Sequence, residues 1–387
     1  MKKILIVILT FFNLTVFSQK KDSIKEAEYD YNLLFNKYKS EIDSARNREA
    51  VAYYTKAIEL NAKDTNSYVN RAISESLLGN NEKAIQDYNF ALSLDSTCAM
   101  VYANRGLTNE DLKKYDAAIV DFNKAIKLDP KEYDYYIDRG MTKNDMKNYD
   151  EALVDFNKAI EICVNNEDAY YGKAIAEDGL EKYMEALSDI EKAIKIESKI
   201  AELYIWRGNI KNDLEKYNEA IEDYNKALEI APKDADCYWG RALSKEGLKD
   251  TKGAIIEYNK TIELYPKYDD AYNNRGNCKA DLGKIKEAMK DFNKAIEINP
   301  ENMEAFYSRG IYRDKLKDYK GAIEDFTMAI KLSPEESDAY YNRGLSKQNM
   351  GDLNGACLDW KKAIGIGKFE DEDEKDVLDS IFENCNK

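Results

Sequence analysis

The sequence predicts an all-α protein, an α-solenoid built from repeated pairs of helices, and three observations support this class. A pair made of arginine (once lysine) followed by glycine or alanine recurs every 34 residues, nine times, from Arg71 to Arg343. Small and large apolar residues recur inside each period at the spacing of one helix face. The 387 residues include only five prolines and 18 glycines, which favours helices over a loop-rich or all-β fold.

The amino-terminal residues 1–18 predict a cleaved export signal. Two lysines precede an apolar run over residues 4–16, and we expect a cut between Ser18 and Gln19. A transmembrane anchor is the alternative, but the apolar run is short for a bilayer span. We therefore expect an exported protein, periplasmic or secreted, that is soluble after cleavage.

Nine units of 34 residues follow, and we number each from 1 to 34 so that the glycine or alanine of the recurring pair is position 8. Position 4 is aromatic and position 20 is alanine in every unit, position 24 is large and apolar, and all five prolines stand at position 32. Positions 4 and 8 are one helical turn apart, and positions 20, 24, 27 and 28 share one face of a second helix, which proline ends. Each unit is thus predicted to be two antiparallel helices. The units are 65–98, 99–132, 133–166, 167–200, 201–234, 235–268, 269–302, 303–336 and 337–370.

The flanking segments predict caps. Within residues 19–64, the stretch REAVAYYTKAIEL keeps the pattern of a second helix, whereas Tyr38 stands where the units have glycine or alanine. This N-terminal segment therefore contains a degenerate capping repeat. Residues 371–387 predict a C-terminal capping helix, because stacked repeats need a polar surface at an open end.

The pattern Tyr-x2-Arg-Gly, then Ala-x3-Tyr, then Pro resembles the tetratricopeptide repeat (TPR) family over nine units of 34 residues, 306 of the 387. The resemblance implies a right-handed superhelical α-solenoid, of the kind found in exported bacterial-type TPR-array proteins. Arginine at position 7 and a polar residue at position 11 depart from the family pattern. Because Asp or Glu always occupies position 23, we expect the arginines to pair with these acids within or between repeats. A ligand-binding role for the arginine column is the alternative.

The composition argues against catalysis. The chain has no histidine, which removes the usual general base and the commonest zinc ligand. No phosphate-binding glycine loop, Cys-x2-Cys pair or nucleophile elbow occurs, and we predict no enzyme activity, no cofactor and no metal site. The formal net charge of −15 disfavours nucleic acid and anionic membranes as partners. A basic polypeptide remains electrostatically favourable.

Cys357 and Cys385 are a candidate disulfide. If the cap helix folds back antiparallel to the last helix around residues 365–369, the two cysteines lie level with each other along the helix pair. The segment GACLDW followed by a terminal cysteine also resembles the last unit of other exported bacterial TPR proteins. The other four cysteines are predicted to be small buried residues; they are Cys98, Cys163, Cys237 and Cys278.

The resemblance implies that the first helices line a concave groove in which positions 2, 5, 9, 12 and 13 face a bound segment. Tyr204 and Tyr238 already fill the core columns of their units, so we expect Trp206 and Trp239 to anchor a partner. Packing between repeats is the alternative for both, while Trp360 at position 24 is predicted to be core. The other predicted partner-binding residues are Tyr171, Ile205, Asn209, Asn277, Tyr307, Tyr341, Asp213, Glu246 and Asp281.

Two rows of acids mark the same helices, one at position 2 and one at position 12 or 13. The acids at position 2 are expected either to select a cationic partner or to stabilise the N-termini of their helices. The second effect is worth roughly 0.3–1 kcal/mol per acid. TPR domains that capture the C-terminal carboxylate of a chaperone use lysine or arginine at positions 2 and 5. No unit here has a basic residue at either position, so the resemblance disfavours that function. We therefore predict a monomeric, non-enzymatic scaffold that binds a partner protein or extended peptide, with a basic partner favoured. A self-assembling structural scaffold of the cell envelope, using the caps or the convex face, is the alternative.

Overall fold

The computed structural model describes residues 44–367, together with Ile381 and Cys385. The predicted signal, Tyr38 and most of the predicted C-terminal cap lie outside these residues. The described part contains nineteen helices and no strand, which confirms the all-α prediction. Among the residues searched, no helix is long and apolar enough to cross a membrane.

Helices α2 to α19 form nine pairs, and we call the first helix of each pair A and the second B. Residues 44–60 are helical and form α1. The A helices are α2 Thr65–Leu77, α4 Ala99–Asp111, α6 Asp134–Asp145, α8 Glu167–Gly179, α10 Ala201–Asp213, α12 Ala235–Gly247, α14 Asp269–Asp281, α16 Met303–Lys315 and α18 Ser337–Asn349. The B helices are α3 Asn81–Leu94, α5 Tyr115–Leu128, α7 Tyr149–Ile162, α9 Tyr183–Ile196, α11 Tyr217–Ile230, α13 Thr251–Leu264, α15 Ile285–Ile298, α17 Tyr319–Leu332 and α19 Leu353–Ile366.

The chain divides between Leu180 and Glu181 into two compact units, unit 1 ending with α8 and unit 2 beginning with α9. Within each unit, an A helix packs on the B helix that follows it, and that B helix packs on the next A helix. Successive A helices also touch each other. Each repeat therefore buries its apolar face only against its neighbours, as in other repeat proteins.

Close packing of small residues against a shared ring joins neighbouring repeats. The ring of Tyr224 on α11 is fully buried, and a Cβ added at Gly208, position 8 of the same repeat, would lie 2.9 Å from it. A Cβ added at Gly240, in the next repeat, would lie 2.5 Å from the same ring. Trp360 plays the corresponding part in the last repeat, and its burial confirms the prediction that it is core.

The arginine column pairs with the acid column, as expected from the sequence. Arg275, for example, donates from Nε and Nη2 to Asp291, which lies on the B helix of the same repeat. Its Nη1 donates to Asn259 of the preceding repeat at 2.7 Å, and the guanidinium lies 5.2 Å from the centre of the Tyr272 ring. The other pairs are Arg71–Asp87, Arg105–Asp121, Arg139–Asp155, Arg207–Asp223, Arg241–Glu257, Arg309–Asp325 and Arg343–Asp359.

Position 15, in the turn between A and B helices, is left-handed in all nine repeats. Glycine fills it at Gly79, Gly283 and Gly351, and Lys249 fills it in repeat 6 with φ 60°. Lys249→Gly is expected to raise the free energy of unfolding by roughly 0.5 kcal/mol, because the left-handed conformation costs other residues about 1 kcal/mol and glycine loses more entropy on folding. Urea unfolding measures the change. Lys249→Ala is the control, and equal gains from both variants would contradict the explanation.

Candidate functional site

Trp239 lies half-buried on α12 and packs against the core cluster that contains Tyr258. Its ring stacks on that of Tyr268, with centroids 6.0 Å apart and planes 25° from parallel. The indole Nε1 is enclosed and has no hydrogen-bond partner among the described residues. Trp206, on α10, is also half-buried. Both tryptophans thus keep part of their surface exposed, and Trp239 is also a packing residue.

Ile205 and Tyr341 require a correction, because the structure places both side chains in the core. Ile205 is 8% exposed and packs with Ala220 and Tyr224, and Tyr341 is 6% exposed and packs with Trp360. Position 5 is buried in most of the repeats, also where Val69, Ile137 or Asn273 occupies it. Burial removes these two residues from the surface that a partner could touch.

The predicted asparagines differ in their surroundings. Asn209 accepts a hydrogen bond of 2.7 Å from the hydroxyl of Tyr224, which fixes its amide at the surface of α10. Asn277, on α14, is half-buried, and its side-chain amide forms no hydrogen bond with another described residue. Its amide is therefore available to a partner, whereas one acceptor of Asn209 is already used.

The two remaining predicted aromatics lie on different units. Tyr171 is half-buried on α8, in unit 1. Tyr307 is half-buried on α16, in unit 2, where its hydroxyl accepts a hydrogen bond from Asn342 at 3.1 Å and its ring packs edge-on against Phe326. Tyr307 is therefore held in place by the next repeat while part of its surface stays exposed.

The second acid row splits according to its position in the repeat. Asp213 and Asp281, at position 13, are exposed. Glu246, at position 12, instead accepts a hydrogen bond from Tyr258, and burial raises the pKa of its carboxyl. Asp314, also at position 12, accepts a hydrogen bond of 2.6 Å from Ser346 of the next repeat. The carboxylates of Glu246 and Asp314 are therefore already used by contacts within the fold.

Unit 1 gathers four carboxylates on its A helices, and we call them the acidic cluster: Glu110 on α4, Asp134 and Asp138 on α6, and Asp168 on α8. Burial and the charges of the neighbouring carboxylates raise the pKa of Asp138 to about 7 and that of Glu110 to about 7. Burial is also the main cause of the raised pKa values of Asp134 and Asp168. The charges that raise the pKa of Asp138 are those of the other three members, and the charges that raise the pKa of Glu110 are those of Asp145 and Asp111. None of the four forms an ion pair with a lysine or arginine among the described residues.

Asp138→Asn is expected to stabilise unit 1 at pH 8 by roughly 1–3 kcal/mol and to have little effect near pH 4. The raised pKa means that the folded state holds the proton more tightly than the unfolded state. Wild-type stability therefore falls as pH rises from the ordinary carboxyl value to about 7, and the asparagine variant escapes this loss. Urea midpoints across this range measure it, with exposed Asp116→Asn as control. A gain that does not change with pH would contradict the explanation.

No group of three or more Cys, Asp or Glu side chains among the described residues is placed to hold a metal ion.

A disulfide links the last repeat to the C-terminal segment. Cys357 at the start of α19 and Cys385 are joined with an Sγ–Sγ distance of 2.00 Å, and both pack against the cluster that contains Trp360. Cys237 and Cys278 are buried thiols whose pKa is raised by burial. The remaining two cysteines, Cys98 and Cys163, are half-buried and unbonded.

The fold and its recurring helix pairs define an all-helical repeat protein. Two family descriptions match: "Tetratricopeptide repeat" matches residues 99–132, 133–165 and 269–302, and "TPR repeat" matches residues 208–247. These four stretches of the chain thus match tetratricopeptide repeats, which generally mediate protein–protein interaction and are typically non-enzymatic. No curated protein sequence matches at a significant level.

Solved structures share this fold. A chain of the APC/C hetero-tetramer Cut9–Hcn1 is similar with a TM-score of 0.55 and 14% identity, covering 85% of this chain and 80% of that one. YrrB, described as a TPR protein with an unusual peptide-binding site, is 24% identical with a TM-score of 0.39, covering 49% of this chain and 97% of its own. MamA is 23% identical with a TM-score of 0.38, covering 43% and 91%.

Proposed function

We propose that this protein is a non-enzymatic binding protein that holds a basic segment of a partner protein on the A helices of its repeats. The observation that carries the proposal is the acidic cluster of unit 1, whose carboxylates have raised pKa values and form no ion pair with a described lysine or arginine. A lysine or arginine from a partner would relieve this repulsion. The gain in electrostatic energy is therefore largest for a basic ligand.

Buried acids at position 23 of the B helices differ from the acids of the cluster, because they are paired with cations. Asp155, on the B helix of repeat 3, pairs with both Arg139 and Lys143 and has a side chain only 2% exposed. Its counterpart in repeat 7, Asp291, pairs with Arg275 and Lys279. These two buried acids at position 23 are thus matched with cations, whereas the acids of the cluster form no ion pair with a described lysine or arginine.

In unit 2 the A helices offer different contacts to the same class of partner. Trp206, Trp239 and Tyr307 supply partly exposed aromatic surface, and Asn277 supplies an amide for the backbone of an extended segment. Asp213 and Asp281 add exposed carboxylates on α10 and α14. Aromatic anchors with polar groups around them are typical of protein–protein interfaces.

A matched pair of double variants tests this proposal. Asp134→Asn with Asp168→Asn removes two carboxylates from the first turns of A helices, and Asp116→Asn with Asp150→Asn removes two from the first turns of B helices. Both change the net charge equally, so any loss specific to the first variant reflects position rather than charge or helix stability.

The measured quantity is the affinity for pentalysine at low ionic strength, from calorimetry. The A-helix variant is expected to bind roughly 5- to 20-fold more weakly than wild type, and the B-helix variant within about twofold. Equal weakening by the two variants, or no binding of pentalysine to wild type, would contradict the proposal.

We also propose that the protein is exported. The two lysines followed by an apolar run at residues 4–16 support this, and so does the Cys357–Cys385 disulfide, because disulfides persist mainly in oxidising compartments. Cell fractionation with alkylation before reduction is the test. Cytoplasmic protein with Cys357 open to alkylation would contradict export.

A further inference from the structure

Three aromatic side chains of repeat 6 meet at one corner of unit 2. Trp239 comes from α12, and Tyr265 and Tyr268 come from the loop that follows α13. The ring of Tyr268 stacks on that of Trp239, with centroids 6.0 Å apart. It also meets the ring of Tyr265 edge-on, with centroids 6.0 Å apart and planes at 84°. Tyr265 is 52% exposed, so this aromatic corner opens to solvent.

The repeat fold does not require aromatic residues at this corner. Tyr265 stands at position 31 and Tyr268 at position 34, and the other described repeats close the same loop without an aromatic residue at either position. At position 31 they have Asp95, Asp129, Cys163, Glu197, Ala231, Asn299, Ser333 and Gly367, and at position 34 they have Cys98, Glu132, Asn166, Ile200, Asp234, Asn302 and Glu336. Both tyrosines are therefore particular to repeat 6; Tyr268 also packs against its core cluster, whereas Tyr265 does not.

The aromatic rings at position 4 of the repeats have an arginine over them, whereas the rings of the aromatic corner have no such cation among the described residues. The arginines of the position-7 column lie 5.2–5.8 Å from the centres of the aromatic rings at position 4, as Arg241 does over Tyr238. Among the described residues, no lysine or arginine lies over Trp239, Tyr265 or Tyr268 in this way. Lys267, between the two tyrosines in sequence, is exposed.

Carboxylates surround the corner. The hydroxyl of Tyr268 donates a hydrogen bond of 2.9 Å to Asp236, which is exposed on the first turn of α12. Burial, this hydrogen bond and the charges of Asp236, Asp270 and Asp234 raise the pKa of Tyr268. Aromatic faces beside carboxylates attract a cation both through the ring quadrupole and through its charge.

We propose that the aromatic corner of Trp239, Tyr265 and Tyr268, with Asp236, binds an arginine side chain of the basic partner. This inference rests on the proposed function and assigns a specific contact to it. Arginine fits better than lysine because its planar guanidinium stacks on an aromatic ring while its N–H groups donate to a carboxylate. The corner would then complete, with a partner's arginine, the arrangement that Arg241 and Tyr238 form inside the repeat.

Titration of the full chain with pentaarginine and with pentalysine tests the inference. The readout is calorimetric affinity at one ionic strength, and circular dichroism first shows that each variant is folded. Tyr265→Leu is expected to weaken pentaarginine binding about 3- to 10-fold, because it removes the exposed ring. Tyr265→Phe keeps the ring and is expected to bind within twofold of wild type, which is about the error of such a comparison.

The outcomes separate this inference from the proposed function. Binding of pentaarginine that survives Tyr265→Leu unchanged would overturn the inference alone. Wild-type affinities that are equal for the two peptides would overturn the choice of arginine, and this comparison needs no variant. Failure of both peptides to bind wild type would contradict both the inference and the proposed function.

Discussion

Asp223→Ala is expected to lower the free energy of unfolding of unit 2 by about 2–4 kcal/mol. Asp223 lies on α11 with a side chain only 3% exposed, and it accepts hydrogen bonds from Arg207 at 2.5 and 3.0 Å. Lys211 lies 2.8 Å away, with a side chain 12% exposed. Removing the carboxylate leaves two cations close together in a poorly solvated place. The expected loss is therefore far larger than that of a surface ion pair.

Glu229→Ala supplies the matched control on the same helix. Glu229 pairs with Lys226 at 2.8 Å, but both side chains are more than half exposed, 66% and 57%. Solvent screens such a pair, and we expect a change below about 0.5 kcal/mol. Urea unfolding followed by circular dichroism compares the two variants. Similar midpoints would show that the buried pair contributes no more than a surface pair.

Tyr224→Ala is expected to cost about 3–5 kcal/mol. The ring is fully buried and packs against Gly208 of its own repeat and Gly240 of the next, so its removal opens a cavity at the junction of two repeats. Because each repeat is stabilised by its neighbours, we expect the loss to loosen both repeats together. Hydrogen exchange of α10 and α12 measures how far the effect spreads.

Tyr224→Phe separates the ring from its hydroxyl. Other repeats already have phenylalanine at this position, as in Phe156 and Phe292. The hydroxyl donates to Asn209 at 2.7 Å, so we expect a loss of only about 1 kcal/mol together with greater mobility of the Asn209 amide. A loss as large as that of Tyr224→Ala would show that the hydroxyl, not the ring, supports the junction.

The helix pairs could be predicted from the sequence because their cause lies in it. The spacing of the small residues and of the position-24 rings determines which faces meet, and Gly208 and Tyr224 meet as that spacing requires. The pairing of Arg207 with Asp223 was also predictable, since both columns carry opposite charges in the same repeat. The small residues and the large apolar residue at position 24 recur in nine repeats and the arginine–acid pair in eight, so a single departure does not hide either signal.

The candidate site was less predictable because it depends on single residues. Glu246 and Asp213 stand at the adjacent positions 12 and 13, and the spacing alone did not indicate that the first would accept a hydrogen bond from Tyr258 while the second is exposed. The raised pKa of Asp138 depends on which acids neighbouring helices bring near it. Tyr265 and Tyr268 lie in a loop, where the sequence spacing does not predict which way a side chain points. Only their departure from the other repeats could have drawn attention to them.

The central claim is that a basic segment binds the acidic cluster of unit 1, and proton release on binding tests it most directly. Calorimetric titration with pentalysine at pH 7, in two buffers with different ionisation enthalpies, measures the protons released. A bound cation favours the ionised carboxylates, so Asp138 and Glu110, each with a pKa of about 7, should together release up to about one proton. The release should vanish at pH 9, where both groups are already ionised. Binding with no proton release at pH 7 would place the ligand elsewhere and contradict the account.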